Sequence, residues 1–308
     1  MSVPRVLYIG MGRIAKIHAR ELAKHSIEVV CGVDPVGTGL VFRQRPVARF
    51  LDLDSAFEHC ASTVDIVVIA SPTRLHAQQL VEVSSAMPSA AIWVEKPLAI
   101  SLEELEIVSR VALEHRANVA GIFHAASAPE VVWARERFAR LCERHGAVTN
   151  IQQYFADAYA GFDADYRRET LLTPWVDSGI NALSIVGALD LPTHLGAQTC
   201  HNPLTASASF ISDDVGGTLT CSWEVAHPSK WTLFTFEDGA LLRLDHQASA
   251  LTLVVRGEVL TALGWPVQRL AGHYEQAFTE LLAGSHPGSR LCAGIQWHHH
   301  LLGAQSRQ

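Results

Sequence analysis

The chain reads as a doubly wound parallel α/β domain followed by an α+β domain with a large, mostly antiparallel open sheet. Three observations carry that reading. Strand-like and helix-like segments alternate from Arg5 to Phe123, as βαβ units require. A glycine turn, Gly10-x-Gly12-x-x-Ala15, joins the first strand to the first helix. Beyond His145, strand-like runs follow one another closely, and short connections imply antiparallel pairing.

Arg5–Gly10 is a short apolar strand, and an amphipathic helix follows through about His25. Ile27–Val33 is a second strand ending at Asp34-Pro35. A short helix is expected over Asp54–Ala61, with Asp54 or Ser55 as N-cap. Val64–Ala70 is continuously apolar, as a strand covered on both faces must be. A helix from Thr73 or Arg74 to Met87 and a strand over Ala90–Val94 come next. Ser101-Leu102-Glu103-Glu104 has the form of a capping box opening a helix to about Arg116, before a fifth strand, Val119–Phe123.

The second half opens with a helix near Pro129–His145. Strands are expected at Val148–Ala156, Leu195–His201, Ala206–Ile211, Thr218–Val225, Trp231–Phe236, Ala240–Leu244 and Leu251–Val255. One helix, about Trp175–Leu189, interrupts them, and helices near Tyr274–Ala283 and Leu291–Gly303 close the sequence. Two domains follow, residues 1–123 and 124–308, with a C-terminal helix as a candidate to pack back on the first.

The 48% hydrophobic share suits a well-filled core. A formal charge of −7 disfavours nucleic-acid and anionic-membrane partners. Six cysteines without a C-x-x-C pair read as reduced thiols of a cytoplasmic protein. No signal peptide and no apolar run of roughly 18 residues is visible. The run His298-His299-His300 is assigned no metal, because consecutive residues on a helix point in different directions.

Gly10-Met11-Gly12-Arg13-Ile14 suits a pyrophosphate at a helix N-terminus, where free N–H groups and the helix dipole favour anions. Asp34, at the end of the second strand, is the acid expected about twenty residues further on to accept hydrogen bonds from ribose hydroxyls. The same carboxylate repels a 2′-phosphate, so NAD is favoured. NADP stays open, because Arg43, Arg45 or Arg49 could meet that phosphate.

Two further segments end strands on the edge where open α/β sheets bind ligands: Ser71-Pro72-Thr73-x-x-His76 and Glu95-Lys96-Pro97. With the glycine turn, they resemble the glucose–fructose oxidoreductase/inositol dehydrogenase (Gfo/Idh/MocA) family. The resemblance implies hydride transfer between a nicotinamide and a sugar or sugar-like secondary alcohol, with Lys96 touching both and the Lys-Pro peptide often cis. A free lysine has a pKa of about 10.4 and needs burial beside a cation to act as a base near neutrality. Asp177-x-Gly179-x-Asn181 stands where the family carries Asp-x-Gly-x-His, so Asp177 is the second catalytic candidate and Asn181 a substrate contact.

This version is most similar to bacterial L-arabinose/D-galactose 1-dehydrogenases. It departs from them at Ala126, Ala156 and Phe162, where they carry Arg, Glu and His. His124, Tyr154, Asp157 and Phe162 are the remaining substrate-contact candidates, and Tyr159, Asp163 or Asp165 are possible replacements. The departures leave open an imine or keto reductase, and the missing histidine a non-catalytic nucleotide sensor. An uncovered sheet face with Trp223, Trp231, Leu233 and Leu253 implies a homodimer or homotetramer.

Overall fold

Two large sheets organise the chain, each in its own compact unit. The computed structural model describes residues 3–36, 39–60, 62–114, 118–162, 172–284 and 287–305. One unit comprises Met1–Ile122 with Tyr274–Gln296, the other Phe123–His273 with Trp297–Gln308. Among the described residues no helix is long and apolar enough to cross a membrane.

The first unit holds β1 (Arg5–Ile9), α1 (Arg13–Leu22), β2 (Glu28–Val33), β3 (Val41–Phe42), β4 (Arg45–Pro46), β5 (Ala48–Phe50), α2 (Leu53–Cys60), β6 (Ile66–Ile69), α3 (His76–Ala86), β7 (Ala91–Glu95), α4 (Leu102–Glu114) and β8 (Val119–Ile122). Its six-stranded sheet runs β5-β2-β1-β6-β7-β8, and every pairing is parallel. Every residue of β6 and β8 is buried, which explains their unbroken apolar sequence. The chain runs from β1 to β2 on one side and returns to β6 on the other. That reversal opens a crevice at the carboxyl ends of β1 and β6.

Local signals differ in detail from those read in the sequence. The α2 cap is Asp52, whose Oδ1 accepts the Ser55 N–H at 2.8 Å, in place of Asp54 or Ser55. The Ser101 cap forms, with Ser101 Oγ accepting the Glu104 N–H, while the Glu104 carboxylate accepts the N–H of Ile100, one residue before the cap. The edge strand β5 was not legible, because three residues carry no measurable period.

The second unit holds α5 (Pro129–His145), β9 (Val148–Ala156), α6 (Pro174–Gly187), β10 (Thr199–Asn202), β11 (Thr205–Ser209), β12 (Gly216–Ser222), β13 (Ser229–Phe236), β14 (Leu241–Asp245), β15 (Ala250–Val255) and β16 (Glu258–Gly264). Helices α7 (Arg269–Leu282) and α8 (Pro287–Gln305) follow. The eight-stranded sheet runs β10-β11-β12-β9-β13-β14-β15-β16, antiparallel except for the β12–β9 pair. Helix α6 packs on β9, β11 and β12, and α5 on β14 and β15. Phe155, Phe234, Phe236, Leu242, Leu244 and Leu251 are buried.

Strand β16 adds to the sequence reading. It follows a two-residue turn with both φ positive, Arg256 at 53° and Gly257 at 82°, the hairpin geometry that matches strand twist. The expected strand at Leu195 shrinks to β10 plus a single bridge to Phe210.

The uncovered face needs correction. Residues alternate between faces with period two, so Leu253 shares the buried side of Leu251 and is 7% exposed. Trp223 lies beyond β12 and is 2% exposed. Trp231 and Leu233 are half-buried, and Tyr154 pairs directly with Trp231 on the same face.

Candidate active site

In the first unit, the glycine turn is built from two glycines with different tasks. Gly10 has φ +89°, and a Cβ there would stand 2.6 Å from the Ala70 carbonyl oxygen. A side chain would therefore separate β1 from β6 at the crevice. Gly12 caps α1 with open space where its Cβ would be, so a ligand can approach the helix N-terminus closely. Arg13 is exposed on the first turn, and Ile14 is half-buried.

The Asp34 carboxylate accepts the Met11 N–H at 2.9 Å and the Val36 N–H at 3.0 Å. It thereby ties the glycine turn to the end of β2. Arg49 donates to the Asp34 and Pro35 carbonyls, and Arg43 to the Ala23 and His25 carbonyls. Both guanidiniums thus hold backbone.

The turn at Glu95-Lys96-Pro97 is clamped by two buried histidines. His18, from α1, places Nε2 2.9 Å from Glu95 Oε1, with side chains 0% and 6% exposed. Glu95 Oε2 accepts the Lys96 N–H at 2.9 Å. His76, at the start of α3, has Nδ1 2.8 Å from the Pro97 carbonyl and Nε2 2.9 Å from the Ser71 carbonyl. Burial holds its pKa below the ordinary histidine range, against the pull of those two carbonyls. Pro97 is buried, Lys96 half-buried, and the peptide between them is cis. Ser71 and Thr73 are half-buried and Pro72 exposed on the neighbouring turn.

In the second unit, α6 starts at Thr173, whose Oγ1 accepts the Val176 N–H, with Pro174 as its first residue. Asp177 is half-buried. Asn181, buried one turn on, donates from Nδ2 to the Asp177 carbonyl at 3.3 Å. Ser178 Oγ donates to Asp157 Oδ2 at 3.1 Å, and Lys230 Nζ lies 2.7 Å from Asp157 Oδ1. Burial is the main force lowering the Lys230 pKa, with Arg269 adding to it and Asp157 opposing it. His124 and His273 bring their Nδ1 atoms to 3.3 Å in near-stacked rings.

Alternation along β9 separates the remaining candidates. Gln153 faces α6 and donates to the Ala182 carbonyl, so Tyr154 faces away, beside Trp231. Tyr154 is therefore not gathered with Asn181 and Asp157. Phe162 is 43% exposed, its ring against Tyr159, because it stands past the strand on a surface turn. Asp163 and Asp165 lie outside the described residues.

Sequence reasoning passed over His18, Lys230, His246 and His273. Two had a usable signal: Lys230 shares the inward parity of Thr232, Phe234 and Phe236, and His246 that of Leu242 and Leu244. His246 bridges Thr232 Oγ1 and Glu130 Oε1 inside the core. His298 and His300 are buried, with His300 against Thr193, and His299 is exposed. Among the described residues no group of three or more His, Cys, Asp or Glu could hold a metal ion.

Residues 4–123 match the model of the Gfo/Idh/MocA oxidoreductase family, NAD-binding Rossmann fold. A curated relative, scyllo-inositol 2-dehydrogenase (NAD(+)) of Bacillus subtilis (strain 168), is 32% identical over 117 residues, spanning 36% of this chain and 32% of the relative. The solved levoglucosan dehydrogenase complex with NADH and levoglucosan superposes with a TM-score of 0.79 at 11% identity, covering 99% of this chain and 98% of the other. A myo-inositol dehydrogenase from Corynebacterium glutamicum ATCC 13032 gives 0.78 at 15% identity, covering 99% and 97%. The fold thus extends over the whole chain, and residues 4–123 form a Rossmann domain of the NAD-binding type found in this oxidoreductase family.

Proposed function

We propose that the protein is an NAD-dependent dehydrogenase that oxidises a secondary alcohol of a sugar or polyol. The observation that carries the reading is the Glu95-Lys96-Pro97 turn, fixed by His18 and His76 at the carboxyl edge of the parallel sheet. The residues present fit the dinucleotide: a glycine turn whose Gly10 lets β1 and β6 approach, open space at Gly12 on the α1 N-terminus, and an acid closing β2. In this reading Gly10, Gly12 and Asp34 hold the adenosine and pyrophosphate portions, and Ser71, Thr73 and Glu95–Pro97 line the reacting end. NAD supplies the hydride acceptor. Lys96 Nζ receives the hydroxyl proton, and Asp177 is the second catalytic group. Asn181 positions hydroxyls and does not ionise.

The named relatives act on inositols and levoglucosan, which supports a cyclic polyhydroxy substrate. The finer reading, oxidation of an aldose at C1, rests on the Asp177/Asn181 pattern alone. A panel of inositols, levoglucosan and aldoses with NAD, followed by NADH absorbance, tests both. NADH from at least one alcohol supports the reading. NAD binding with no oxidation, or imine reduction alone, contradicts it.

Assembly is proposed as a homodimer or homotetramer using the face that carries Tyr154, Trp231 and Leu233. Light scattering at micromolar concentration should give at least twice the 33.6 kDa chain mass. A monomer mass overturns this.

A further inference from the structure

At one end of the eight-stranded sheet, β9 stops and β13 begins, and a lysine and an aspartate are buried together. Lys230 pairs with Phe155 there, and Asp157, two residues further along the chain and of the same parity, reaches it diagonally. The Asp157 and Lys230 side chains are 6% and 9% exposed. One oxygen of Asp157 meets Lys230 and the other takes the Ser178 hydroxyl. An ammonium carries three donors, and Asp157 takes one of them. Burying such a pair costs desolvation that its own attraction often fails to recover. The pair is therefore poorly explained as a stabiliser.

Asn181 Oδ1 and His273 Nε2 are among the buried side-chain atoms of this unit that have no hydrogen-bond partner within the described residues. Asn181 is tied to Asp177, next to the Ser178 that holds Asp157. Lys230 feels Asp177 and Arg269, and His273 feels Lys230, Arg269 and His246. A ligand with several oxygens would satisfy these groups together.

The geometry points to Lys230 as a specificity-determining substrate contact: held by Asp157, its ammonium donates to hydroxyl oxygens of an uncharged polyhydroxy substrate. The inference rests on the dehydrogenase reading above. Charge selects an uncharged ligand. Lys230 and Arg269 balance Asp157 and Asp177, and burial keeps His273 neutral. A carboxylate would add an uncompensated buried charge. A hydroxyl can accept from Lys230 while donating to Asn181 Oδ1.

The test uses the full-length protein with NAD and three probes: myo-inositol, D-galactose and D-galacturonate. Lys230→Met should raise KM about 10- to 100-fold, the worth of a hydrogen bond to a charged group. Turnover at saturation should change only a few-fold, and NAD affinity should hold. The double variant Lys230→Met/Asp157→Asn strands no carboxylate, and it carries the test if the single variant does not fold. Wild-type protein should prefer the neutral probes over galacturonate. An unchanged KM with a lowered melting temperature, or a preference for galacturonate, overturns the proposal while leaving the dehydrogenase reading intact. NAD binding with no oxidation of any probe overturns both.

Discussion

The two units hold polar groups by different means. In the first, backbone atoms do much of the holding. The Asp34 carboxylate takes two N–H groups, His76 meets two carbonyls, and Glu95 takes the N–H of its neighbour. In the second, buried ionisable groups are held by other side chains: Asp157 by Lys230 and Ser178, and His246 by Glu130 and Thr232. Backbone-built sites suit a ligand that never changes. Side-chain-built sites can be rewritten by substitution without moving a strand. The difference teaches where to look for shared chemistry and where for substrate choice.

The comparison breaks most visibly at Lys96. If it receives the substrate proton, Lys96→Ala should lower turnover about 10²- to 10⁴-fold while NAD affinity stays within a few-fold. Lys96→Arg should not restore it, since guanidinium does not deprotonate. Asp177→Ala should also lose turnover. Near-normal rates in Lys96→Ala, measured beside NAD titration, would remove the catalytic assignment.

Next in size is Glu130, whose side chain is 0% exposed beside that of His246 at 2%. Removing one partner of a buried pair costs about 3–5 kcal/mol. Glu130→Leu should lower thermal stability by an amount of that order without changing NAD affinity. A melting temperature equal to wild type would show that the buried pair is not structural.

Asp34→Ser should narrow the preference for NAD over NADP by about tenfold, roughly the effect of 1.4 kcal/mol. Tighter NADP binding by the unmodified protein would instead place a phosphate-binding arginine at the end of β2.

The smallest effect belongs to His145 and Asp238, 2.9 Å apart, the histidine buried and the aspartate exposed. Hydrogen bonds from His145 and then the Ala240 N–H hold the Asp238 carboxyl below its ordinary range. A depressed folded pKa contributes stability above the unfolded value, about 3.9. That contribution is lost as pH falls through the folded value. Asp238→Asn should therefore flatten melting temperature against pH only on the acid side. Identical acid-side profiles for the two proteins would contradict this.

The first unit was largely legible because its signals are contiguous. Gly10, Gly12, Asp34 and Glu95–Pro97 each sit at a strand end that hydropathy alone delimits. The second was legible as strands and much less as a site. Tyr154 was placed by aromatic character, and the alternation of β9 sends it to the other face. Lys230 carried the opposite signal, a charge at an inward position, and parity counted from Phe234 would have found it. His273 had no such marker. It stands near the start of α7, and only the folded chain brings it to His124.

Hydride transfer itself is the central claim, and an isotope tests it most directly. The reacting alcohol from the panel is prepared with deuterium on its carbinol carbon and oxidised with NAD. The account predicts one deuterium at C4 of the nicotinamide in the product NADH, and none in solvent water. Deuterium in the water would contradict hydride transfer, and so would product without labelled NADH.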